Sequence, residues 1–177
     1  MKKGPFTVLN SKVIYENPWI KVREDSVKRP DGTNGIFGVV EYAAGVHILA
    51  IDRGGKVCVI REYMYAIERY DLMFPAGAID DGETPLQAAK RELLEEIGYT
   101  SDEWSDLGVV NPLTMIVRSP FYLFLALNCK KVATGESTIE VKKFTFEKVE
   151  GLIRSNKITL SGTIAAYFKA KMYFEAK

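Results

Sequence analysis

Along most of the chain, apolar and polar residues alternate or cluster over short stretches, and turn signals close each stretch: Pro30-Asp31-Gly32, Asp52-Arg53-Gly54-Gly55, Asp80-Asp81-Gly82 and Thr134-Gly135. Between these signals the pattern predicts strands over 19–28, 36–43, 46–51, 57–63, 107–110, 121–127 and 139–146. A helix is predicted over 85–97: Thr84 and Gln87 fit a capping box, Pro85 suits the first helical position, and Gly98 supplies the stop. A second helix is predicted over 162–174, where Ile164, Tyr167, Phe168 and Met172 recur at helical spacing, with a shorter one over 147–155 before it. Strands come in runs rather than alternating with helices, so the class is α+β with mixed or antiparallel sheets.

Composition narrows the class without naming a partner. A chain of 177 residues fits one domain with a modest accessory element. At that size it buries roughly 70% of its unfolded surface and needs no disulfide. With 47% hydrophobic and 27% charged residues, it is neither disordered, collagen-like nor a coiled coil. Lys+Arg 24 against Asp+Glu 23 leaves a net charge of +1, so no nucleic-acid partner is expected. Cys58 and Cys129 lie in apolar runs and are expected to be buried free thiols. No apolar segment follows Met1-Lys2-Lys3-Gly4-Pro5, and the run over 121–127 is too short to span a bilayer. A cytoplasmic protein with no membrane partner is the expectation.

The candidate chemistry lies on the helix over 85–97. On a wheel of about 100° per residue, Glu95 and Glu96 fall on either side of Glu92, so the three carboxylates share a face. Leu86, Ala89, Leu93 and Ile97 form the expected core-facing stripe. Like charges at this spacing weaken a helix by a few tenths of a kcal/mol per pair, and Arg91 offsets only part of that. A one-sided acidic cluster beside a tight turn suits a hard divalent cation such as Mg²⁺, which takes oxygen ligands in octahedral geometry. Glu83 could extend the cluster. A solvated acidic face is the other reading of the glutamates alone, and the surrounding spacing decides between them.

From Gly77 the chain reads Gly, five residues, Glu83, seven residues, Arg91-Glu92-Leu93, one residue, Glu95-Glu96, one residue, Gly98-Tyr99. This resembles the Nudix hydrolase signature, with an aromatic Tyr99 where the pattern prefers a bulky aliphatic. The resemblance implies the Nudix fold: a mixed sheet sandwiched between helices, here with an additional N-terminal antiparallel sheet. It implies Glu92, Glu96 and Glu95 as metal ligands together with the carbonyl of Ala76, the metal being Mg²⁺ with Mn²⁺ as a possible substitute. It also implies Glu83 as a weaker, outer contributor, and Arg91 as the residue that orients the carboxylates. Gly77 would let the backbone approach the metal, and Gly98 would end the helix.

The resemblance extends to the branch that hydrolyses ADP-ribose and other nucleoside diphosphate sugars, through Tyr15-Glu16-Asn17-Pro18-Trp19-Ile20, Ile60-Arg61-Glu62-Tyr63, Phe74-Pro75-Ala76-Gly77, Ile139-Glu140-Val141 and Ile158 to Ala165. It implies that residues 1–42 form strands serving dimerisation and substrate lining, that 43–177 form the hydrolase domain, and that the protein is a homodimer. Four positions depart from the branch: Met64 for an arginine, Met73 for a glutamate, Thr114-Met115 for a Pro-Gly pair, and Ser119 for an acidic residue. The general base of the branch is a glutamate on a late loop; Glu136 is the first candidate and Glu140 the second. Trp19 is a candidate for stacking on the base, and Arg61, Arg69 and Arg118 for holding phosphate. His47, the only histidine, is expected to be structural. Mg²⁺-dependent hydrolysis of a nucleoside diphosphate sugar to a nucleoside monophosphate and a sugar phosphate is therefore the leading expectation. Hydrolysis of nucleoside triphosphates or dinucleoside polyphosphates is its rival within the family, and a non-catalytic nucleotide-binding domain its rival from another class.

Overall fold

The computed structural model describes residues 1–177. The strands before the first helix are β1 (Lys2–Lys3), β2 (Phe6–Glu16), β3 (Ile20–Lys28), β4 (Asn34–Tyr42), β5 (Gly45–Asp52), β6 (Val57–Met64), β7 (Arg69–Met73) and β8 (Ala76–Ala78). Then come α1 (Pro85–Ile97), β9 (Tyr99–Thr100), β10 (Glu103–Val110), β11 (Val117–Arg118), β12 (Phe121–Lys131), β13 (Glu140–Phe144), α2 (Phe146–Arg154) and α3 (Ser161–Glu175). The chain divides into two compact units, Met1–Ala43 with Asn111–Pro120, and Ala44–Val110 with Phe121–Lys177.

The first unit is a five-stranded sheet in the order β1-β2-β3-β4-β11. Its pairs are antiparallel except β11, which runs parallel to β4 through Val117 opposite Val40. The turn over Pro30-Asp31-Gly32 joins β3 to β4: Asp31 Oδ1 accepts from the Thr33 amide and hydroxyl, and Gly32 takes a φ of +85°. Asp25, only 3% exposed, accepts from Ser11, Lys3 and Arg23, which together hold its carboxyl near 2, Ser11 contributing most. Sequence pattern alone had not marked β2, whose apolar residues are largely exposed.

The second unit is built on an eight-stranded mixed sheet with the path β10-β12-β5-β6-β13; β7 extends from β6, β8 from β5 and β9 from β12. Strand β12 runs parallel to β5, with Leu125 opposite Leu49, and the other pairs are antiparallel. Alternation sorts the side chains into two cores. Val46, Ile48, Ala50, Cys58, Ile60, Phe124 and Ala126 pack with Ala88, Ala89, Leu93 and Ile97 of α1. Their neighbours Leu49, Val57, Val59, Leu123 and Leu125 pack with Val149 of α2 and Ala166, Tyr167 and Ala170 of α3. Coverage on both faces is why these strands read as continuous apolar runs. Both cysteines are buried free thiols. No helix is long and apolar enough to cross a membrane.

Three expectations need correction. On α1, Leu86 is 36% exposed while Ala88 is fully buried and Glu96 is 7% exposed. The buried arc therefore contains the acidic position rather than lying beside it. On α3, Phe168 and Met172 are exposed, and the inward face is the large Tyr167 set among small residues, Gly162, Thr163, Ala166 and Ala170, which let the helix approach the sheet. Phe146, expected in the last strand, is the first residue of α2, because Thr145 accepts from the Lys148 amide as an N-cap.

Candidate metal and hydrolytic site

The site begins with the capping of α1. Thr84 Oγ1 accepts from the Gln87 amide, Gln87 Oε1 accepts from the Thr84 amide at 2.8 Å, and Pro85 opens the first turn. Gly98 closes the helix at a φ of +74°, its amide donating to the carbonyls of Leu93 and Leu94. Between these ends, α1 packs beside β8. A Cβ on Gly77 would lie 2.0 Å from Cδ of Glu92, so only glycine leaves room for that carboxylate against the backbone. One residue earlier, the Ala76 amide donates to Glu96 Oε2 at 2.9 Å.

The carboxylates fall into two electrostatic groups. Arg91 serves the first: it donates to both oxygens of Glu83 at 2.9 Å, to Glu92 Oε1 at 2.7 Å, to Glu95 Oε2 at 3.1 Å and to the Ala78 carbonyl at 2.9 Å. Its hydrogen bonds with Glu83 hold the Glu83 carboxyl below the usual range. Glu92 is pushed upward, since desolvation outweighs the pull of Arg91. The second group has no cation. Burial is the main cause that pushes the Glu96 carboxyl up to about 8; the Ala76 amide opposes it, and the negative charges of Glu92, Glu62 and Glu136 add to it.

Glu136 reaches this neighbourhood through its backbone, donating its amide to the carbonyls of Glu95 and Glu96 at 3.1 Å each. A Cβ on Gly135 would lie 2.3 Å from the Glu96 carbonyl oxygen, and one on Gly98 would lie 2.1 Å from the Ala133 oxygen. Glu140 is elsewhere occupied, in ion pairs with Lys142 at 2.8 Å and Arg61 at 3.6 Å. The Arg61 guanidinium sits 3.9 Å over the Tyr70 ring, and Arg69 donates to Thr159 at 2.7 Å and Asp71 at 3.1 Å. Trp19 and Arg118 belong to the first unit: Trp19 is 70% exposed in the turn after β2, and Arg118 is exposed with Glu41 at 3.7 Å. His47 is buried, its ring centroid 4.8 Å from that of Phe121 at an interplanar angle of 57°, and it faces Gly162, whose Cβ would lie 2.3 Å from the imidazole Nε2. Sequence reasoning singled out none of this for Glu62. Its signal was present in the alternation of β6, which puts Glu62 on the same face as Ile60 and Met64, the face covered by α1.

No three acidic, histidine or cysteine side chains close into a ready cage, because Glu92 and Glu95 turn toward Arg91 and Glu96 toward Ala76. The donor set nevertheless fits a hard divalent cation. It consists of carboxylate and carbonyl oxygens, and Glu96 is buried among like charges with a single protein donor to offset them.

Comparison with known proteins agrees with this architecture. The NUDIX domain family matches residues 41–159, and the family described as nucleoside diphosphate sugar hydrolase N-terminal domain matches residues 6–40. An ADP-ribose pyrophosphatase of Bacillus subtilis (strain 168) is 26% identical over 171 residues, covering 93% of this chain and 92% of its own. One from Mycobacterium tuberculosis (strain ATCC 25618 / H37Rv) is 26% identical over 177 residues, covering 94% and 86%. A crystal structure of an ADP compounds hydrolase superposes with a TM-score of 0.87 at 20% identity, covering 99% of this chain and 97% of that one, which establishes likeness of fold.

Proposed function

The chain belongs to the NUDIX family, and on that premise we propose that it hydrolyses the pyrophosphate linkage of a nucleoside diphosphate sugar. ADP-ribose is the first substrate to test, with Mg²⁺ as cofactor and Mn²⁺ as a substitute. The observation that carries the reading is the pairing of a hydrolase domain over 41–159 with a nucleoside diphosphate sugar hydrolase element over 6–40. Relatives similar to this chain over most of both lengths bear the name ADP-ribose pyrophosphatase.

Water adds across the P–O–P bond, leaving a nucleoside monophosphate and a sugar phosphate. A bound divalent cation neutralises the phosphate oxygens and lowers the pKa of the attacking water. Glu92, Glu96 and Glu95 would hold it with the Ala76 carbonyl. Arg91 keeps Glu92 and Glu95 aimed from one side, and its contact with Glu83 fixes the guanidinium in turn. Glu136 is the general base that takes the proton of the water on its carboxylate. Its loop is bonded to the last turn of α1, which supports this role over Glu140, held by Lys142. Arg61, Arg69 and Arg118 are assigned to phosphate, and Trp19 to the base.

Residues 1–42 act in this proposal as a dimerisation and substrate-lining element of a homodimer. Support comes from the apolar side chains the first unit leaves exposed: Leu9, Ile14, Tyr15, Trp19 and Ile36 are each more than half exposed. The two free thiols suit a reducing cytoplasm. The test is a panel of sugar nucleotides with Mg²⁺, with products identified by mass. ADP-ribose yielding AMP and ribose phosphate is expected; turnover confined to triphosphates, with release of orthophosphate or pyrophosphate, overturns the substrate class.

A further inference from the structure

Charged side chains withdrawn from water normally find an opposite charge, and this chain usually follows the rule. Asp25 collects Lys3, Arg23 and Ser11, and Arg91 gathers three glutamates. Glu62 breaks it. Its carboxyl is half-buried and pushed upward by desolvation, and the charged groups coupled to it, Glu136 and Glu96, are of the same sign. The adjacent arginine offers no relief, since alternation turns Arg61 to the other face of β6, where it meets Tyr70 and Glu140.

On its own face Glu62 lies between Ile60 and Met64, which pack against the core beneath α1. Cross-strand register sets Ile60 opposite Met73, and the two residues after Met73 lead into Ala76, whose amide holds Glu96. Met73 is the position at which the branch resembled above carries a glutamate. A sheet carboxylate is thus present on this face, two residue pairs along β6 from the Ile60–Met73 pair at which the branch has one. It acts electrostatically on Glu96 and is free of any protein cation.

We propose that Glu62 belongs to the divalent-cation site, as an acidic ligand supplied by the sheet rather than by α1 or the loop carrying Glu136. The inference rests on the metal-dependent reading above. A negative charge kept without a partner on the metal face is held there for a cation that arrives from solution. A purely structural carboxylate would have been paired, or replaced by an apolar side chain like those of Ile60 and Met64.

The experiment titrates the full-length protein with Mn²⁺, following free Mn²⁺ by electron paramagnetic resonance, and measures thermal unfolding of the metal-free protein in parallel. Wild type is compared with Glu62→Gln, Glu62→Asp, Glu96→Gln and the exposed control Glu175→Gln. The expectation is a loss of Mn²⁺ affinity in Glu62→Gln of roughly ten- to hundredfold, partly recovered in Glu62→Asp, with a metal-free unfolding midpoint equal to or above that of wild type. Glu175→Gln should match wild type in both measurements. Wild-type affinity in Glu62→Gln alongside weakened binding in Glu96→Gln overturns this assignment and leaves the metal-dependent reading standing. A Glu62→Gln protein that unfolds earlier without metal, or does not fold, shows a structural role and overturns it as well. A wild-type protein that neither binds Mn²⁺ nor turns over a sugar nucleotide overturns both.

Discussion

The acidic side chains around α1 divide into a neutralised set and a bare one. Glu83, Glu92 and Glu95 share Arg91, while Glu96, Glu62 and Glu136 have no cation. Glu92 and Glu96, one from each set, differ by a single helical turn of α1. The neutralised set shows how the protein fixes carboxylates in place; the bare set shows where it has left charge for something else to balance. One set is held by an arginine and the other carries unbalanced charge, so positioning and charge can be perturbed by different mutations.

Glu96→Gln attacks the bare set at its most buried member and should reduce metal-dependent turnover by about a thousandfold or more, the equivalent of several kcal/mol of charge stabilisation. Steady-state rates over a Mg²⁺ titration check it, and wild-type turnover in this variant would remove Glu96 from the reaction. Gly77→Ala disturbs the neutralised set through space rather than charge. Its Cβ overlaps the Glu92 carboxylate, and the displacement should lower kcat about a hundredfold. Arg91→Lys keeps the charge but loses the fork that reaches Glu83, Glu92 and Glu95 together, so a ten- to hundredfold loss, roughly, is expected in Mg²⁺ affinity, read from the Mg²⁺ dependence of the rate. If Arg91→Lys matches wild type, the two sets do not differ in the way described.

Stability rather than turnover is at stake on the opposite face of the sheet, to which His47 alternates away from Val46 and Ile48. His47 is pushed down to about 4 by desolvation against Phe121 and Gly162. The fold therefore favours the neutral imidazole, whose ordinary pKa is about 6.5. Its contribution is complete above pH 6.5 and is lost as the pH falls toward 4, by about 3 kcal/mol at the bottom of that window. Denaturant unfolding of His47→Gln between pH 4 and 7 should show a flatter slope than wild type. Equal slopes would place the acid sensitivity elsewhere.

Much of α1 was legible in the sequence because its ends use local chemistry. The Thr84–Gln87 box, Pro85 and Gly98 act within a turn of themselves, and the structure contains each as written. The mistakes arose where burial depends on a distant partner. Helical spacing grouped Ile164, Tyr167, Phe168 and Met172, but apolar residues occur on every side of α3, and contact with the sheet buries Ala166, Tyr167 and Ala170 while Phe168 and Met172 stay exposed. Leu86 was exchanged for Ala88 for a similar reason: the close approach of α1 to β8, forced by Gly77, turns the helix so that Glu92 and Glu96 point inward. Glu62 escaped notice because its surroundings come from α1 and the loop at Glu136, far away along the chain. Strand β2 escaped because its exposed apolar residues carry little alternation to read.

The two glycines where the loop over 133–136 meets the end of α1 have a consequence for change over generations. With Ala133 oxygen against Gly98 and the Glu96 carbonyl against Gly135, the loop lies too close to the helix end for a Cβ at either glycine. Surface loops ordinarily tolerate inserted residues, but an insertion before Glu136 would pull its amide from the carbonyls of Glu95 and Glu96. The segment from Gly98 to Glu136 can therefore lengthen in the hairpins between, while its two ends stay stitched together residue for residue.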